Sequence, residues 1–246
     1  MAACDALEIR DLQVGYGKRI VLHQVNVTVP QGKIVGVLGP SGSGKTTLVR
    51  SVLGVIPIES GHISVFGKPV PSFSAMAEIG YMAQSDALYD DLTSTEHLLF
   101  FGRLQGLSAA EAKARAKELL AFVELDAHPG QPVRNFSGGM RRRLSLAIAL
   151  IAHAPLLILD EPTVGIDPVL RRKFWDAFEA LKTQGRTLLT TTHVMDEAAR
   201  CDRLLMVRDG RIIADGTVSE MLTRTGADTL ENAFLHFSAI KEKEMA

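Results

Sequence analysis

The sequence of 246 residues predicts an α/β fold in which a block of helices is inserted between two strands of a mixed sheet. Residues 34–38 and 156–159 are short apolar runs, which are typical of buried parallel strands. Residues 86–153 lie between them and show helical periodicity with an alanine-rich run. Residues 7–16 and 61–67 show the alternation of apolar and polar residues that is typical of half-exposed antiparallel strands.

Hydrophobic periodicity and turn residues place the remaining elements. Strands are predicted at 20–22, 25–29, 187–191, 203–207 and 211–214. Helices are predicted at 47–53, 95–105, 108–125, 135–150, 169–182, 194–200 and 229–238, the last before a charged, frayed tail. Ser108 and Glu111 have the spacing of a capping box at the start of one of these helices.

We interpret residues 1–246 as one domain with an inserted subdomain. Residues 7–85 and 154–225 are predicted to form the core together with an antiparallel β subdomain. Residues 86–153 form the helical insertion, and residues 226–246 form a C-terminal helix and tail.

Composition narrows the class of protein. A hydrophobic content of 46% supplies enough apolar side chains for a core, and a net charge of −1 does not predict a nucleic-acid partner. The longest apolar stretch, residues 144–159, is interrupted by Pro155, so no direct membrane span is expected. The N-terminus lacks the pattern of a signal peptide. We therefore expect a soluble chain that reaches a membrane only through a partner.

Residues 39–46 match the pattern G-x-x-x-x-G-K-[ST] and follow a predicted strand. The residues are Gly39, Pro40, Ser41, Gly42, Ser43, Gly44, Lys45 and Thr46, with Thr47 directly behind them. Glycines let the backbone wrap around phosphate oxygens, and the helix N-terminus points N–H groups at the anion. The lysine supplies a positive charge, and the Thr46 hydroxyl is a ligand for Mg²⁺. A glycine-rich turn that binds nothing is the alternative, and the strand, lysine and threonine together favour nucleoside triphosphate binding.

Asp160 and Glu161 follow four apolar residues at the end of the second buried strand. A strand in this position delivers Asp160 to the edge of the sheet beside the Mg²⁺. Glu161 points in a different direction, so it can contact an attacking water. An acidic pair at a strand end is by itself often only the start of a loop. The presence of a phosphate-binding loop upstream favours a catalytic role for this acidic pair.

The segment Ser137-Gly138-Gly139, between Phe136 and Met140, resembles the signature motif of ATP-binding-cassette (ABC) ATPases. The resemblance extends over residues 7–225, and the other motifs of the family occur in the same order. Tyr16 is similar to the aromatic residue that stacks on adenine, and Gln84 is similar to the glutamine of the Q-loop. Residues 159–168 are similar to Walker B and the D-loop, and His193 is similar to the switch histidine.

The resemblance implies a P-loop NTPase core that binds ATP and Mg²⁺ and hydrolyses ATP. It assigns catalysis to Glu161, His193, Lys45 and Gln84, and Mg²⁺ binding to Thr46, Gln84 and Asp160. It assigns nucleotide contacts to Tyr16, to the residues of the phosphate-binding loop through Thr47, and to Ser137, Gly138, Gly139 and Asp167. The signature residues serve the nucleotide of a second subunit packed head-to-tail, which implies a homodimer.

The resemblance also implies an integral membrane permease as partner and a location on the cytoplasmic face of the membrane. Met140 and the segment 229–235 are similar to export-type cassettes. Leu88, Tyr89 and Leu92 are expected to contact the permease. The alternative is a regulatory or assembly ATPase of the same fold without a permease, although tandem cassettes, long coiled-coil insertions and a basic surface are not evident in the sequence.

Three assignments have simpler alternatives. Tyr16 at a strand end is frequently a packing residue. A lone histidine such as His193 is more often solvent-facing than catalytic, although among the seven histidines this one ends a predicted parallel strand. Residues 141–143 are consecutive arginines that fan out around a helix, which favours solvated or salt-bridged positions over a nucleic-acid patch.

Overall fold

The computed structural model describes residues 5–128 and 130–245, so the predicted assignments for residues 1–4, Pro129 and Ala246 lie outside it. The strands are β1 (Leu7–Tyr16), β2 (Arg19–Val29), β3 (Ile34–Leu38), β4 (Ser60–Val65), β5 (Lys68–Pro69), β6 (Ile79–Met82), β7 (Leu156–Asp160), β8 (Thr187–Thr192), β9 (Arg203–Arg208) and β10 (Arg211–Gly216). The helices are α1 (Lys45–Val52), α2 (Phe73–Met76), α3 (Ser94–Leu104), α4 (Ala109–Phe122), α5 (Gly138–Ala149), α6 (Pro168–Thr183), α7 (Met195–Ala198), α8 (Val218–Thr225) and α9 (Leu230–Met245).

Two sheets organise the chain, and they confirm the predicted fold class. A six-stranded mixed sheet has the order β10-β9-β3-β8-β7-β6, with antiparallel pairing only between β10 and β9. A four-stranded antiparallel sheet has the order β2-β1-β4-β5. In the mixed sheet, Leu38 pairs with Thr192 and Asp160 pairs with Thr191. Strand β8 therefore lies between β3 and β7, and the carboxyl ends of all three meet at one edge.

Both faces of the mixed sheet are buried, which explains why its parallel strands β3 and β7 are almost continuously apolar. Alternate residues such as Val35 and Ile158 face the antiparallel sheet and α1. Their neighbours, including Leu157 and Leu159, face the helices of the other side. The edge of the sheet is thus the place where polar side chains can reach solvent.

The chain between β6 and β7 forms helices α3, α4 and α5 and a short 3-10 helix, Val133–Asn135. The capping box of Ser108 and Glu111 is present as predicted. A second one, which the sequence interpretation missed, joins Thr93 to Glu96 at the start of α3. Within residues 5–128 and 130–245, none of the helices has the length and apolar character required to cross a bilayer.

Several elements differ from the sequence prediction, and the short elements β5 and α2 were not predicted at all. The strands predicted at 20–22 and 25–29 are one strand, β2, which continues past Gln24 although its φ is 48°. Helix α8 was not predicted, although Thr217 and Glu220 form its capping box. Helix α9 continues to Met245 instead of ending at residue 238, because lysine and glutamate are strong helix formers.

Phe178 in α6 is 0% exposed and makes edge-on contacts with the rings of Phe174 and Trp175. We expect Phe178→Ala to lower the free energy of unfolding by about 3–5 kcal/mol, because it leaves a cavity in the core. Phe73→Ala removes the same atoms from a side chain that is 98% exposed, and should change it by less than about 0.5 kcal/mol. Urea denaturation of both variants measures the difference, and equal effects would contradict this account of the core.

Candidate active site

The loop between β3 and α1 adopts a conformation that requires glycine at two positions. Gly42 has a φ of 79°, and Gly44, the N-cap of α1, has a φ of 107°. Two backbone hydrogen bonds fix the loop to its neighbours: the Gly39 N–H donates to the Thr192 carbonyl at 3.3 Å, and the Gly210 N–H donates to the Ser43 carbonyl at 3.0 Å. The N-terminal turn of α1 therefore opens toward a pocket, as an anion site requires.

The pocket has a volume of about 200 Å³ and lies at the carboxyl edge of the mixed sheet. It is lined by Val21, Ser41, Gly42, Gly44, Lys45, Thr46, Thr47, Gln84 and Glu161. The structure thus brings together the phosphate-binding loop, the glutamine after β6 and the glutamate after β7. Val21 was not predicted, because its place in the pocket depends on how the antiparallel sheet packs.

Lys45 is 5% exposed, and its charge is held by polar groups on two sides. Its Nζ donates to the Gly39 carbonyl at 2.7 Å and to the Pro40 carbonyl at 3.0 Å. Glu161 Oε1 lies 3.6 Å from the same nitrogen. Burial lowers the pKa of Lys45, and the nearby carboxylate of Glu161 opposes that shift. Further negative charge in the pocket would stabilise the ammonium in the same way.

The carboxylate of Glu161 is the point at which the predicted catalytic residues converge. Gln84 Nε2 donates to Oε2 at 3.2 Å, and His193 Nδ1 lies 3.5 Å from Oε1. Together with Lys45, these side chains come from the ends of β6 and β8 and the start of α1. The side chain of His193 is 43% exposed, so solvent or a ligand can reach its ring.

The backbone of Glu161 is left-handed, with a φ of 47°, which is rare and strained for a residue with a side chain. Its N–H donates to Thr191 Oγ1 at 2.9 Å. Its carbonyl accepts from Arg142 Nη2 at 2.6 Å. Hydrogen bonds from two other elements therefore hold the conformation that points the carboxylate at the pocket.

Asp160 is 1% exposed and offers one unused oxygen. Its Oδ1 accepts the Thr191 hydroxyl at 2.6 Å, whereas Oδ2 is buried and makes no hydrogen bond within the described part of the chain. Burial raises the pKa of Asp160, opposed mainly by the hydrogen bond from Thr191. A buried, unpaired carboxylate oxygen is an expected ligand for a hard cation such as Mg²⁺. The residues fit that ion: Asp160 directly precedes Glu161, and both Glu161 and Thr46 line the pocket.

Several predicted site residues do not line this pocket: they are Gly39, Pro40, Ser43, Asp160 and His193 at the edge of the sheet, and Ser137, Gly138, Gly139 and Asp167. Ser137 is the N-cap of α5 and accepts the Met140 N–H at 3.2 Å, and Gly138 and Gly139 begin that helix. Asp167 is the N-cap of α6. Ser137, Gly138, Gly139 and Asp167 therefore belong to the N-terminal ends of α5 and α6, outside the pocket of their own chain.

Tyr16 also lies outside the lining of the pocket. It ends β1 and is 48% exposed. Its ring therefore has a free face, but one chain shows neither the packing role nor the stacking role that the sequence left open.

Sequence reasoning missed residues that act through others. Glu197 in α7 is 4% exposed and accepts the hydroxyls of Thr163 at 2.6 Å and Thr192 at 2.9 Å. It thereby ties the strand end before His193 to the segment after Glu161. The hydroxyl of Thr191 makes hydrogen bonds with both Asp160 and Glu161. The one feature of the sequence that could have indicated this role is the run of three threonines in a buried strand.

The three consecutive arginines have different environments. Arg141 forms an ion pair with Asp90, which agrees with a salt-bridged position. Arg142 is only 4% exposed and forms an ion pair with Asp86 at 3.3 Å, so its position is salt-bridged, as expected, but buried. The guanidinium contacts backbone carbonyls and Asp86 rather than solvent. The position of a residue around a helix does not indicate how deeply its side chain is buried.

The fold and the site together define an ATP-hydrolysing nucleotide-binding domain. Its phosphate-binding loop lies beside an acidic pair, and lysine, glutamine and histidine side chains surround the glutamate of that pair. The family model described as "ABC transporter" matches residues 22–164. The chain belongs to this family and is an ATP-binding subunit with ATPase activity.

Curated relatives support this membership over most of the chain. The Nod factor export ATP-binding protein I of Sinorhizobium fredii is 42% identical over 230 residues, which is 92% of this chain and 67% of that protein. The linearmycin resistance ATP-binding protein LnrL of Bacillus subtilis is 38% identical, with coverage of 91% and 73%.

Solved structures are similar as well. The ATP-binding subunit of an ABC transporter superposes with a TM-score of 0.87 at 29% identity, covering 95% of this chain and 99% of that chain. The cbiO1 protein of Clostridium perfringens gives a TM-score of 0.79 at 26% identity, with coverage of 89% and 91%.

We expect Thr191→Val to lower kcat for ATP hydrolysis by about 10- to 100-fold, since it removes the group that orients both acidic residues. It should also lower the free energy of unfolding by about 1–3 kcal/mol, because the buried N–H of Glu161 loses its acceptor.

Thr187→Val is the matched control for this variant. Thr187 begins the same strand and accepts the Gly32 N–H at 3.0 Å, far from the pocket. It should lose stability but keep its turnover rate. Equal kcat values for the two variants, measured by phosphate release, would contradict the positioning role of Thr191.

Proposed function

We propose that this chain is the ATPase subunit of an exporter, that it works as a head-to-tail homodimer with Mg²⁺, and that it drives an integral permease from the cytoplasmic face of the membrane. The convergence of Lys45, Gln84 and His193 on the carboxylate of Glu161 carries the catalytic part of the proposal. The exposed signature segment supports the dimer, and the names of the relatives support export.

Glu161 is the general base of the proposed reaction. Its carboxylate lies in the pocket, and the amide of Gln84 and the ring of His193 flank it within 3.2 and 3.5 Å. A carboxylate held in this way can accept a proton from water that attacks the terminal phosphorus. Lys45 neutralises charge on the β- and γ-phosphates, and His193 contacts the γ-phosphate, whose loss it senses.

Asp160, Thr46 and Gln84 are the residues that would hold Mg²⁺. When bound, Mg²⁺ neutralises charge on the phosphate oxygens and orients them for in-line displacement. Thr191 keeps one oxygen of Asp160 occupied, so the other oxygen is the one presented to the metal. Gln84 would act both toward the metal and toward Glu161, to which its amide nitrogen already donates.

The signature segment supports a second copy of the chain as the partner. Ser137 and Gly138 are exposed, and a Cβ added to Gly138 would meet nothing within 4 Å. Since Gly138 also lacks a positive φ, contacts within its own chain do not explain why this position is glycine. Close approach of another molecule does explain it. We infer that Ser137, Gly138, Gly139 and Asp167 complete the nucleotide site of the partner subunit, and that Tyr16 stacks on adenine.

We expect Glu161→Gln to reduce ATP turnover by roughly 10²–10⁴-fold, because it removes the general base, while ATP binding persists. In this variant, addition of ATP and Mg²⁺ should convert the monomer to a dimer, measured by light scattering after size exclusion. Adding Gly138→Asp should abolish the dimer, because a carboxylate then faces phosphate.

Gly130→Asp in the same background is the control for this test, since Gly130 also has open space around an added Cβ. This variant should still dimerise. Near-normal turnover of Glu161→Gln would refute the role of the base, and dimerisation of the Gly138→Asp variant would refute the composite site.

A groove beside the helical insertion is the proposed contact with the permease. It has a volume of about 180 Å³ and is lined by Tyr81, Met82, Ala83, Ser85, Ala87, Leu88, Phe101, Ser145 and Ile148. Tyr89 is 54% exposed and packs edge-on against Phe100, which is 42% exposed. Leu92 is half-buried and does not line the groove. An apolar groove with exposed aromatics beside it suits a short helix of a membrane subunit.

We expect Leu88→Glu and Tyr89→Glu to abolish co-purification of the chain with an integral membrane protein from detergent-extracted host membranes. A charge in the groove would be buried without a partner when the permease docks. Leu235→Glu is the control, since Leu235 is 57% exposed on α9. ATP binding by the isolated variants should not change. Retention of the membrane protein by both groove variants would refute this contact.

A further inference from the structure

Arg142 of α5 is a buried arginine whose guanidinium is shared by two separate loops. Its Nη1 donates to the carbonyls of Ala83 at 3.0 Å and Gln84 at 2.9 Å, and lies 3.3 Å from Asp86 Oδ1. Its Nη2 donates to the carbonyl of Glu161 at 2.6 Å. One side chain of α5 therefore contacts the backbone of both residues whose side chains meet in the pocket.

The contacts compensate the burial of the charge. A buried guanidinium is strongly unfavourable unless its donors are satisfied, and here the acceptors are three carbonyls and a carboxylate. The Ser145 hydroxyl, one turn further along α5, also donates to Asp86 Oδ1 at 3.1 Å. The loop after β6 is thus attached to α5 at two successive turns.

The contact with Glu161 is made to a strained residue. Because Glu161 has a φ of 47°, its backbone would relax toward an ordinary conformation if its hydrogen bonds were lost. Thr191 holds the N–H from the core side. The carbonyl accepts from Arg142 on the side of the helical insertion at 2.6 Å and, more weakly, from the Val164 N–H of its own loop at 3.3 Å. The orientation of the carboxylate therefore depends on both parts of the chain.

The neighbouring arginines do not make this connection. Arg141 pairs with Asp90 in the segment before α3. Arg143 donates to the carbonyls of Val123 at 3.2 Å and Glu124 at 2.9 Å, after the end of α4. Among the three arginines, Arg142 is the one that joins α5 to the catalytic edge.

We propose that Arg142 is a positioning residue that sets Gln84 and Glu161 in their catalytic geometry and links them to the N-terminus of α5. This inference rests on the proposed function, in which Ser137 at that N-terminus contacts the nucleotide of the partner subunit. Movement of α5 on docking would act on Glu161 of the same chain through the guanidinium. A signal from one nucleotide site thereby reaches the base of the other site.

The test compares Arg142→Gln with Arg143→Gln in the purified chain. Arg142→Gln should lower kcat for ATP hydrolysis by about 10- to 100-fold, because Glu161 is no longer held, while KM for ATP changes by less than about twofold. Arg142→Lys should have an intermediate kcat, since an ammonium can reach fewer of the acceptors. Arg143→Gln, which loses two carbonyl contacts of the same kind, should keep a kcat within about twofold of the wild-type value.

Three results would overturn the proposal: a kcat of Arg142→Gln close to the wild-type value, equal losses of kcat in the two glutamine variants, or a change confined to KM and melting temperature. If Arg142→Gln does not fold, Arg142→Lys and Asp86→Asn decide the question by the same split between kcat and KM. Glu161→Gln separates the two proposals. Retained turnover in that variant refutes the proposed base, whereas its loss together with normal turnover in the Arg142 variants refutes only the role of Arg142.

Discussion

The parallel pairing of β8 with both β3 and β7 is the constraint on which the site depends. The registers Leu38 to Thr192 and Asp160 to Thr191 bring three strand ends to the same level of one sheet edge. The phosphate-binding loop follows the first strand and the acidic pair follows the second, while β8 contributes Thr191 and His193 between them. A shift of register by one residue would turn Thr191 away from both carboxylates, because successive side chains of a strand point to opposite faces.

Charge balance explains why so many ionisable groups can be buried at this edge. Lys45, Arg142, Asp160, Glu161 and Glu197 are each less than 9% exposed. Most of their polar atoms contact carbonyls, hydroxyls or an opposite charge, so the cost of leaving water is offset locally. The unpaired Oδ2 of Asp160 is the exception, and it is the atom expected to bind a cation. Among these five residues of the described chain, the buried side-chain atom without a partner is therefore the one expected to meet a ligand.

Local sequence was sufficient for the parts of the site whose chemistry depends on neighbours in the chain. The loop through Lys45, the acidic pair and the paired strands could be predicted because glycine, lysine and alternating apolar residues act over a few positions. The roles of Arg142 and Glu197 could not be predicted, because the burial of a side chain and its contacts with distant residues produce no pattern in the local sequence. The proposed roles of Ser137 and Gly138 came from the resemblance to the family's signature motif rather than from local chemistry, since their proposed ligand belongs to another molecule.

Because the backbone of Glu161 is left-handed, the proposed position of its carboxylate depends on the balance between this conformation and relaxed alternatives. Such a conformation costs about 1–3 kcal/mol, which corresponds to a preference of roughly 5- to 150-fold for relaxed alternatives when nothing opposes it. The hydrogen bonds of its N–H to Thr191 and of its carbonyl to Arg142 and Val164 oppose that preference, so the fraction of molecules with an aligned carboxylate varies with their strength. In the proposed role of Arg142, small displacements of α5 would grade the rate of hydrolysis, with no change in how tightly ATP is held.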